Sequence, residues 1–333
     1  MDKILTISIA AYNVEKYLEQ TLSSLSDSRF IDDIEVLIID DGSKDRTRDI
    51  ALKYQEMAPD SFRYVPKENG GHGSTINKGI ELAQGKYFRA IDGDDWVDKD
   101  AFTDFICRLK SEDADMILTQ HKTVCGSEEK LIKFVRNMED GKKYSWIDEL
   151  DIEYVTIHMM TLKTELLQKN NVRITEKCFY VDIEFIVWAI YLSESIVYWE
   201  LPVYMYRIGN ANQSINKKNM LKNVGMQETV SYKLAAIFDR FRESGRLSKT
   251  KEDVIFRRIT RSIGSTVRTY LLIDNGTESK EKIILFDKKI REISENTYAK
   301  LGRSQFFKAV RCGNYALVPV IRAIYKIWCM KYK

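Results

Sequence analysis

The first hundred residues alternate short apolar runs with segments of helical periodicity. Runs typical of strands occupy residues 4–10, 34–40, 62–66 and 86–92. Helical spacing of apolar residues predicts helices over 15–26, over 45–57, and from a glycine-rich turn at 69–74 to Ala83. Strands that are apolar throughout and alternate with helices predict an α/β fold, with a mostly parallel central sheet covered on both faces.

The pattern changes after about residue 100. It predicts a helix over 101–110, a strand over 113–120, a charged irregular stretch over 127–150, and a strand followed by a helix over 154–170. An apolar helix over 184–195 precedes a β segment over 196–209, in which Pro202 marks an edge or a bend. Helices follow over 217–243, 249–274 and 279–296. We therefore expect two domains, 1–215 and a helical, basic region 216–333.

Composition and charge narrow the class of protein. The 333 residues are 44% hydrophobic and carry a net charge of +3, which is typical of a folded protein and argues against a polyanion binder. The number of cysteines is odd and none are spaced C-x-x-C, so neither a zinc ribbon nor a disulfide framework is expected. This use of cysteine is typical of a protein in a reducing cytoplasm. The sequence shows neither a signal-peptide pattern nor an apolar stretch long enough to span a membrane.

Polar clusters follow three of the predicted strands directly. They are residues 11–13, 40–43 and 92–95, and the turn at 69–74 supplies a fourth cluster. Ligands of open α/β sheets bind outside the carboxyl ends of the strands. The sequence therefore predicts a ligand site at this edge of the sheet.

Three aspartates, Asp92, Asp94 and Asp95, end an otherwise apolar strand. Carboxylate oxygens at a strand end suit a hard divalent cation, Mn²⁺ or Mg²⁺, and Gly93 lets a ligand approach the backbone closely. Such a cation would bridge a diphosphate. The alternative is a solvated turn, since Asp and Gly are common turn residues.

The other two clusters each allow two interpretations. A carboxylate in 40–43 could accept a hydrogen bond from a nucleobase imide or a ribose hydroxyl, or Ser43 or Asp45 could cap the next helix. Glycines in 69–74 could bring backbone amides to a phosphate, with His72 as a further donor, or form a flexible turn capped by Ser74. The turn has neither Walker spacing nor a dinucleotide fingerprint.

Four ordered stretches carry a family resemblance: SIAAYNVEKYLEQTLSSL, EVLIIDDGSKDRT, KENGGHGSTINKGIELAQGKY and AIDGDDWVD. Together they resemble the family 2 glycosyltransferases of bacterial cell-surface polysaccharide synthesis, which have the Rossmann-like GT-A fold. The resemblance covers residues 4–104 specifically and extends more loosely to residue 214. It implies a nucleotide-sugar-binding half, 1–104, and an acceptor-binding half, 105–215.

The resemblance implies roles for individual residues. Ala10, Tyr12 and Asp41 match positions that hold the base of the donor, most often a UDP-sugar. Asp92 matches a residue that contacts ribose or metal, and Asp94 matches the metal ligand of the D-x-D motif. The expected nucleotide-sugar contacts also include Asn13, Asn69, Gly71, Asn77 and Gly93. Many relatives have arginine where Ile76 stands, so diphosphate contacts shift to His72, Lys78 or Arg207.

A later segment, CFYVDIEF, resembles the part of the family that carries the catalytic base. Where the family often has Glu-Asp, this chain has Val181-Asp182. Asp182 is therefore the expected general base, with Glu184 as the fallback, although Asp182 could instead cap the following helix. The segment YMYRIGNANQSI resembles the closing motif, so Arg207 and Ser214 are expected near the diphosphate or the acceptor. The family reaction is a single displacement that inverts the anomeric centre.

Two features lie outside these motifs. His121 and His158 have no recognisable metal spacing and are expected in the core or on the surface, although His158 could approach the acceptor. Residues 303–333 are basic and place Val320, Ile324 and Trp328 on one helical face. This pattern favours a helix lying on an anionic membrane surface, with docking on the protein or on a second copy in a homodimer as the alternative. No nucleic-acid recognition module accompanies the charge.

The sequence thus predicts an inverting, metal-dependent glycosyltransferase, cytoplasmic and peripheral on the inner face of the cell membrane. Its acceptor would be a glycan, lipid-linked in the expected case, in capsule or other cell-surface polysaccharide synthesis. A sugar nucleotidyltransferase should show a glycine-rich, lysine-bearing signature after the first strand, which SIAAYNVEKYL lacks. The non-enzyme alternative, an inactive nucleotide-sugar-binding or scaffold protein, is disfavoured by the intact Asp92, Asp94 and Asp182.

Overall fold

A computed structural model describes residues 3–209 and 217–331 of the chain. These residues form two compact units that divide near residue 210. The predicted domain boundary after residue 215 and the candidate Ser214 lie outside the described residues.

Between residues 3 and 209, the N-terminal unit has ten strands and six α-helices. The strands are β1 Leu5–Ala11, β2 Ile34–Asp40, β3 Phe62–Pro66, β4 Tyr87–Asp92, β5 Trp96–Val97, β6 Met116–Cys125, β7 Glu128–Ile132, β8 Lys143–Ser145, β9 Met160–Lys163 and β10 Ser195–Arg207. The helices are α1 Leu18–Ser24, α2 Thr47–Met57, α3 His72–Leu82, α4 Lys99–Leu109, α5 Thr164–Lys169 and α6 Asp182–Leu192.

All ten strands join one sheet in the order β3-β2-β1-β4-β9-β6-β10-β5, with β7 added on β6 and β8 on β10. The first four strands in this order pair in parallel, as the sequence predicts. Beyond β4 the sheet is mixed, because β9 pairs antiparallel with both neighbours while β6 and β10 are parallel. Pro202 lies at an irregularity in the β6–β10 register, which is the predicted bend.

The core follows from the alternation of side chains along the strands. Leu5, Ile7 and Ile9 of β1 belong to one buried cluster with Leu18 and Leu22 of α1. Alternate residues of a strand point to the same face, so β1 buries one apolar face against this helix. Because the parallel strands end together, the loops after β1, β2 and β4 meet at one edge of the sheet.

The C-terminal unit is helical in its described part. Its helices are α7 Lys217–Lys222, α8 Val224–Glu243, α9 Lys249–Leu271, α10 Gly276–Ile293, α11 Glu295–Leu301, α12 Gln305–Tyr315 and α13 Val318–Lys331. Side chains that accept hydrogen bonds from the first turn cap four of them, namely Ser248, Asn275, Ser294 and Ser304. Within 3–209 and 217–331, no helix combines the length and the apolar character that crossing a membrane requires.

Candidate active site

The turn after β4 is fixed by contacts with β1 and α1. The Gly93 amide donates to the Ala10 carbonyl at 3.0 Å, and a Cβ on Gly93 would lie 2.8 Å from that oxygen. The Thr21 hydroxyl is shared between the carbonyls of Gly93 and Asp95. Only glycine fits this close approach, so the D-G-D-D sequence produces one defined arrangement of its aspartates.

Asp95 is fully buried and bonded within the protein. Its carboxylate accepts hydrogen bonds from the Tyr204 hydroxyl at 2.6 Å and from the Arg207 amide at 2.7 Å. Burial, followed by repulsion from Asp92 and Asp94, raises the pKa of Asp95 well above its usual range. Asp95 therefore ties the aspartate turn to the end of β10.

Asp92 forms an ion pair with His72. The His72 Nε2 lies 3.2 Å from the Asp92 carboxylate, and the His158 Nε2 lies 4.0 Å from it. Burial raises the pKa of Asp92, but the hydrogen bond and charge of His72 outweigh it, and the net shift is downward. In His72, burial is likewise outweighed by Asp92, and the pKa is raised. Both shifts favour the charged form of the pair.

The carboxylate of Asp41 organises the glycine-rich turn. One oxygen accepts from the Lys67 ammonium at 2.6 Å and the Gly70 amide at 2.9 Å, and the other accepts from the Gly71 amide at 2.8 Å. The Asn69 amide group donates to the Asp41 carbonyl. Asp41 is 3% exposed, so these bonds form in a largely dry environment.

The segment before α6 is fastened to the same turn and to α3. Asn77 donates from its side chain to the Ile174 carbonyl at 2.9 Å and accepts from the Ile174 amide at 2.8 Å. The buried Glu184 accepts from the amide and hydroxyl of Thr175. Gly71, at φ +78°, packs against the backbone of Lys177, where a side chain would crowd the segment. These contacts fix the segment that leads into α6 relative to α3 and the glycine-rich turn.

Asp182 is the first residue of α6. Val181 holds the N-cap position without a side-chain cap bond, so Asp182 is not the N-cap residue. Burial raises the pKa of the Asp182 carboxyl, the charge of His72 opposes this, and Asp92 reinforces it, with a net upward shift. A carboxylate in these surroundings is a better proton acceptor than a solvated aspartate.

These loops enclose a cleft of about 360 Å³ at the carboxyl edge of the sheet. Tyr12 and Phe179 contribute exposed aromatic rings, 51% and 46% exposed. The predicted site residues that line it are Ala10, Tyr12, Asp41, Asn69, Gly71, His72, Asp92, Gly93 and Asp94. The cleft combines acidic oxygens and aromatic surface, while the amides of Gly71 and Gly93 already donate within the protein.

Six predicted residues are not among those that line the cleft, namely Asn13, Asn77, Lys78, Asp182, Glu184 and Arg207. Asn13 joins the loops after β1 and β2 through Ser43 and Lys44. Lys78 pairs with Glu81 on α3. Asn77 and Glu184 hold the segment before α6, as described above.

Arg207 lies against the aspartate turn. Its side chain donates to the Asp94 carbonyl at 2.9 Å and to Gln20, and its guanidinium lies over the rings of Tyr17 and Trp96. This contact with the backbone of the D-x-D motif places a positive charge beside the aspartates.

The donor atoms near Asp92 suit a divalent cation. Single ligand atoms of Asp92, Asp95 and His158 lie within 4.8 Å of one another, and Asp94 lines the adjoining cleft. Because both Asp95 oxygens already accept hydrogen bonds, Asp92 and Asp94 are the better ligands. Carboxylate oxygens fit Mg²⁺ or Mn²⁺, and an added imidazole favours Mn²⁺.

Arg89 was not among the predicted site residues, and His158 was expected in the core or on the surface, although it could approach the acceptor. Arg89 is completely buried and donates to Thr119, Thr161 and the His158 carbonyl. Burial lowers its pKa to about 10. The sequence does contain a signal for Arg89, namely a charged residue inside the apolar run of β4. A buried charge requires a specific set of partners.

Replacing Asn77 by alanine should lower the free energy of unfolding by about 1–3 kcal/mol, because it leaves buried polar groups of the 174–176 segment without partners. Replacing the neighbouring Lys78 by alanine should change it by less than about 0.5 kcal/mol. Urea unfolding of both variants measures the difference. Weaker UDP binding by Lys78→Ala would contradict its position outside the cleft.

The sequence of this chain is similar to those of known glycosyltransferases. The model of the family described as Glycosyl transferase family 2 matches residues 6–169. Putative glycosyltransferase EpsH of Bacillus subtilis is 26% identical over 245 residues, 67% of either chain. Poly(ribitol-phosphate) beta-N-acetylglucosaminyltransferase TarS of Staphylococcus aureus is 29% identical over 122 residues, which are 36% of this chain but 21% of TarS.

Solved structures resemble the whole fold. TarS 1–349 in complex with UDP-GlcNAc matches with a TM-score of 0.67 and 17% identity, over 99% of this chain and 92% of that chain. A mannosyltransferase from Pyrobaculum calidifontis, in complex with GDP-Man and Mn²⁺, has a TM-score of 0.51 and 12% identity, over 98% of this chain and 88% of that chain. The likeness to TarS confirms the predicted α/β fold class with its helical C-terminal part.

Proposed function

The chain belongs to the family 2 glycosyltransferases, and we propose that it transfers a sugar from a UDP-sugar to a glycan acceptor with inversion of the anomeric centre. The observation that carries this proposal is the convergence of Tyr12, Asp41, His72, Asp92 and Asp94 on one cleft. UDP is the proposed nucleotide because the TarS structure that shares this fold was solved with UDP-GlcNAc. The polymer would be a cell-surface polysaccharide, by analogy with the named relatives.

The donor is held by the residues of the cleft. Tyr12 offers an exposed ring for the base, while Asp41, whose oxygens are occupied by the turn at 69–71, shapes the pocket. Asp92 and Asp94 would hold Mn²⁺ or Mg²⁺, and the cation would supply positive charge for the leaving diphosphate. His72 and Arg207 add positive charge beside the same aspartates.

Asp182 is the proposed general base. The charges of His72 and Asp92 act on its pKa, which supports a place for Asp182 near the reactive end of the donor. Its carboxylate takes the proton of the acceptor hydroxyl as that oxygen attacks the anomeric carbon. Glu184 is not proposed, because its buried carboxylate holds Thr175.

The direct test is turnover of nucleotide sugars by the purified chain with Mn²⁺. UDP released from UDP-GlcNAc, UDP-glucose and UDP-galactose, and GDP released from GDP-mannose, would be measured with and without a crude cell-envelope acceptor. We expect release with one UDP-sugar, accelerated by acceptor. Nucleotide binding without release from any of these donors would support the inactive binding protein instead.

We also propose that α13 lies on a lipid surface, which suits a peripheral enzyme at the inner face of the cytoplasmic membrane and a lipid-linked acceptor. Five apolar residues of this helix are each more than half exposed, namely Val320, Ile324, Ile327, Trp328 and Met330. Two of its cations are paired with the segment before α10, since Arg322 donates to the Ile273 carbonyl and Lys326 pairs with Asp274. The exposed Arg303 and Lys308 could meet anionic headgroups.

Replacing Ile324 by aspartate should reduce binding to phosphatidylglycerol-containing vesicles at least about tenfold, because a buried aliphatic side chain contributes roughly 1.5–3 kcal/mol. Leu285→Asp, at an exposed apolar residue of α10, is the matched control and should bind as the wild type does. Vesicle co-sedimentation measures both. If Ile324→Asp binds vesicles as well as the wild type does, and if the wild type is a dimer that this substitution dissociates, the apolar face of α13 would instead contact a second copy of the chain.

A further inference from the structure

The aspartate turn, residues 92–95, is fastened to β10 at both of its ends. Strand β5, which follows the turn directly, pairs antiparallel with the last part of β10. The Tyr204 hydroxyl of β10 accepts a hydrogen bond from the Asp92 amide at 3.2 Å and donates to the Asp95 carboxylate at 2.6 Å. One side chain of β10 therefore joins the first and the last residue of the turn.

Tyr204 lies inside the protein, with contacts on its ring as well as its hydroxyl. The residue is 1% exposed. The Arg89 guanidinium lies 5.9 Å from the centre of its ring, and the centre of the His158 ring lies 4.8 Å from it. A side chain with so little accessible surface does not touch a substrate, so Tyr204 can influence a ligand only through the residues that it bonds, Asp92 and Asp95.

The remainder of the aspartate turn is held by β1, α1 and Arg207. The Gly93 amide donates to the Ala10 carbonyl at 3.0 Å, and the Thr21 hydroxyl bonds two carbonyls of the turn. The side chain of Arg207 donates to the Asp94 carbonyl at 2.9 Å. Every residue of the turn therefore has a backbone group bonded within the protein, and the turn has a defined shape without a ligand.

A fixed backbone has a consequence for the choice of cation. The carboxylates proposed to hold the cation, those of Asp92 and Asp94, project from this turn. Mg²⁺ takes oxygen ligands at about 2.0–2.1 Å in octahedral geometry, whereas Ca²⁺ takes them at about 2.3–2.6 Å in flexible geometry. A site whose ligands cannot move apart therefore favours the smaller ion.

We propose that Tyr204 is a positioning residue of the proposed cation site. Its hydroxyl holds Asp92 and Asp95 at a fixed separation, and the turn so held selects Mg²⁺ or Mn²⁺ over the larger Ca²⁺. The inference rests on the proposed function, because it concerns the site assigned there to Asp92 and Asp94. It adds to that site a residue that contacts neither the nucleotide nor the sugar.

The test compares Tyr204→Phe with Tyr198→Phe, a matched control on the same strand. Tyr198 is 2% exposed, and its hydroxyl accepts a hydrogen bond from Gln120 at 2.8 Å, so each variant loses one buried, bonded hydroxyl. Binding of Mn²⁺ in the presence of UDP is measured by electron paramagnetic resonance of the free ion, and Ca²⁺ binding by competition. UDP binding in EDTA and thermal unfolding show that each variant is folded.

We expect Tyr204→Phe to bind Mn²⁺ about 10- to 100-fold more weakly, because residues that hold metal ligands in place from outside have effects of this size. Its affinity for Ca²⁺ should fall less, so that the preference for Mn²⁺ over Ca²⁺ is reduced. Tyr198→Phe should bind both ions as the wild type does, although removal of its hydroxyl also lowers stability.

The outcomes separate this inference from the proposed function. A Tyr204→Phe variant with the Mn²⁺ affinity of the wild type, or with an unchanged preference over Ca²⁺, would overturn the role of Tyr204 and leave the transferase standing. An equal loss in Tyr198→Phe would reveal a general effect of destabilisation and would overturn it too. A wild type whose UDP binding does not depend on Mn²⁺ would contradict the cation site itself, and this inference with it.

Discussion

Asp182→Asn is expected to lower sugar transfer by about 100- to 10,000-fold while leaving the affinity for UDP within about twofold, because it removes the proposed base without changing side-chain size. The amide cannot take a proton from the acceptor hydroxyl at neutral pH. Initial rates of acceptor-dependent UDP release measure the loss of activity, and calorimetric titration of UDP measures binding. Asp60→Asn, an exposed carboxylate on the turn before β3, is the matched control.

The pH dependence of the wild type gives a second measure of the same residue. A base is active only when deprotonated, so an upward shift of the Asp182 pKa moves the acid limb of the rate profile above the pH expected for a solvated aspartate. Activity should fall as the pH drops through that raised pKa. If the residual activity of Asp182→Asn shows the same acid limb as the wild type, that limb would have to be assigned to a group other than Asp182.

Asp94→Ala is expected to abolish the part of UDP affinity that depends on Mn²⁺ and to reduce transfer at least about 100-fold. Asp94 lines the cleft beside Asp92, and losing one of the two proposed carboxylate ligands would weaken retention of the cation proposed to screen the diphosphate. Calorimetric titration of UDP with Mn²⁺, and with EDTA in its place, measures the metal-dependent part in both proteins.

Asp98→Asn is the control for this second prediction, since Asp98 caps α4 through the Ala101 amide and lies outside the cleft lining. It should bind UDP as the wild type does. Tight UDP binding that is the same with Mn²⁺ and with EDTA would contradict the metal site and assign the diphosphate to His72 and Arg207.

The parts of the fold read correctly from sequence are those with strong local signals. Residues of β1, β2 and β4 are apolar because helices cover them, and glycines and aspartates mark where these strands end. Strands β7 and β8 were missed because they lie within the charged stretch 127–150 and bury few residues. A strand exposed on its faces has no apolar alternation to detect.

The site was predictable as far as its residues are adjacent in sequence. The D-G-D-D turn after β4 could be placed at the ligand edge, but Asp95 receives its bonds from Tyr204, 109 residues later, and Asn77 bonds a segment 97 residues away. No periodicity links residues so far apart. The use of one aspartate for structure and its neighbours for ligand binding therefore becomes visible only in three dimensions.

The way Asp41 is bonded has a consequence for the energetics of recognition. Its carboxylate already holds Lys67 and the amides of Gly70 and Gly71, so the glycine-rich turn keeps its shape without any nucleotide. Association therefore loses little conformational entropy in this wall of the cleft. Discrimination among nucleotides then depends on how well each displaces water from a surface that already has its binding shape.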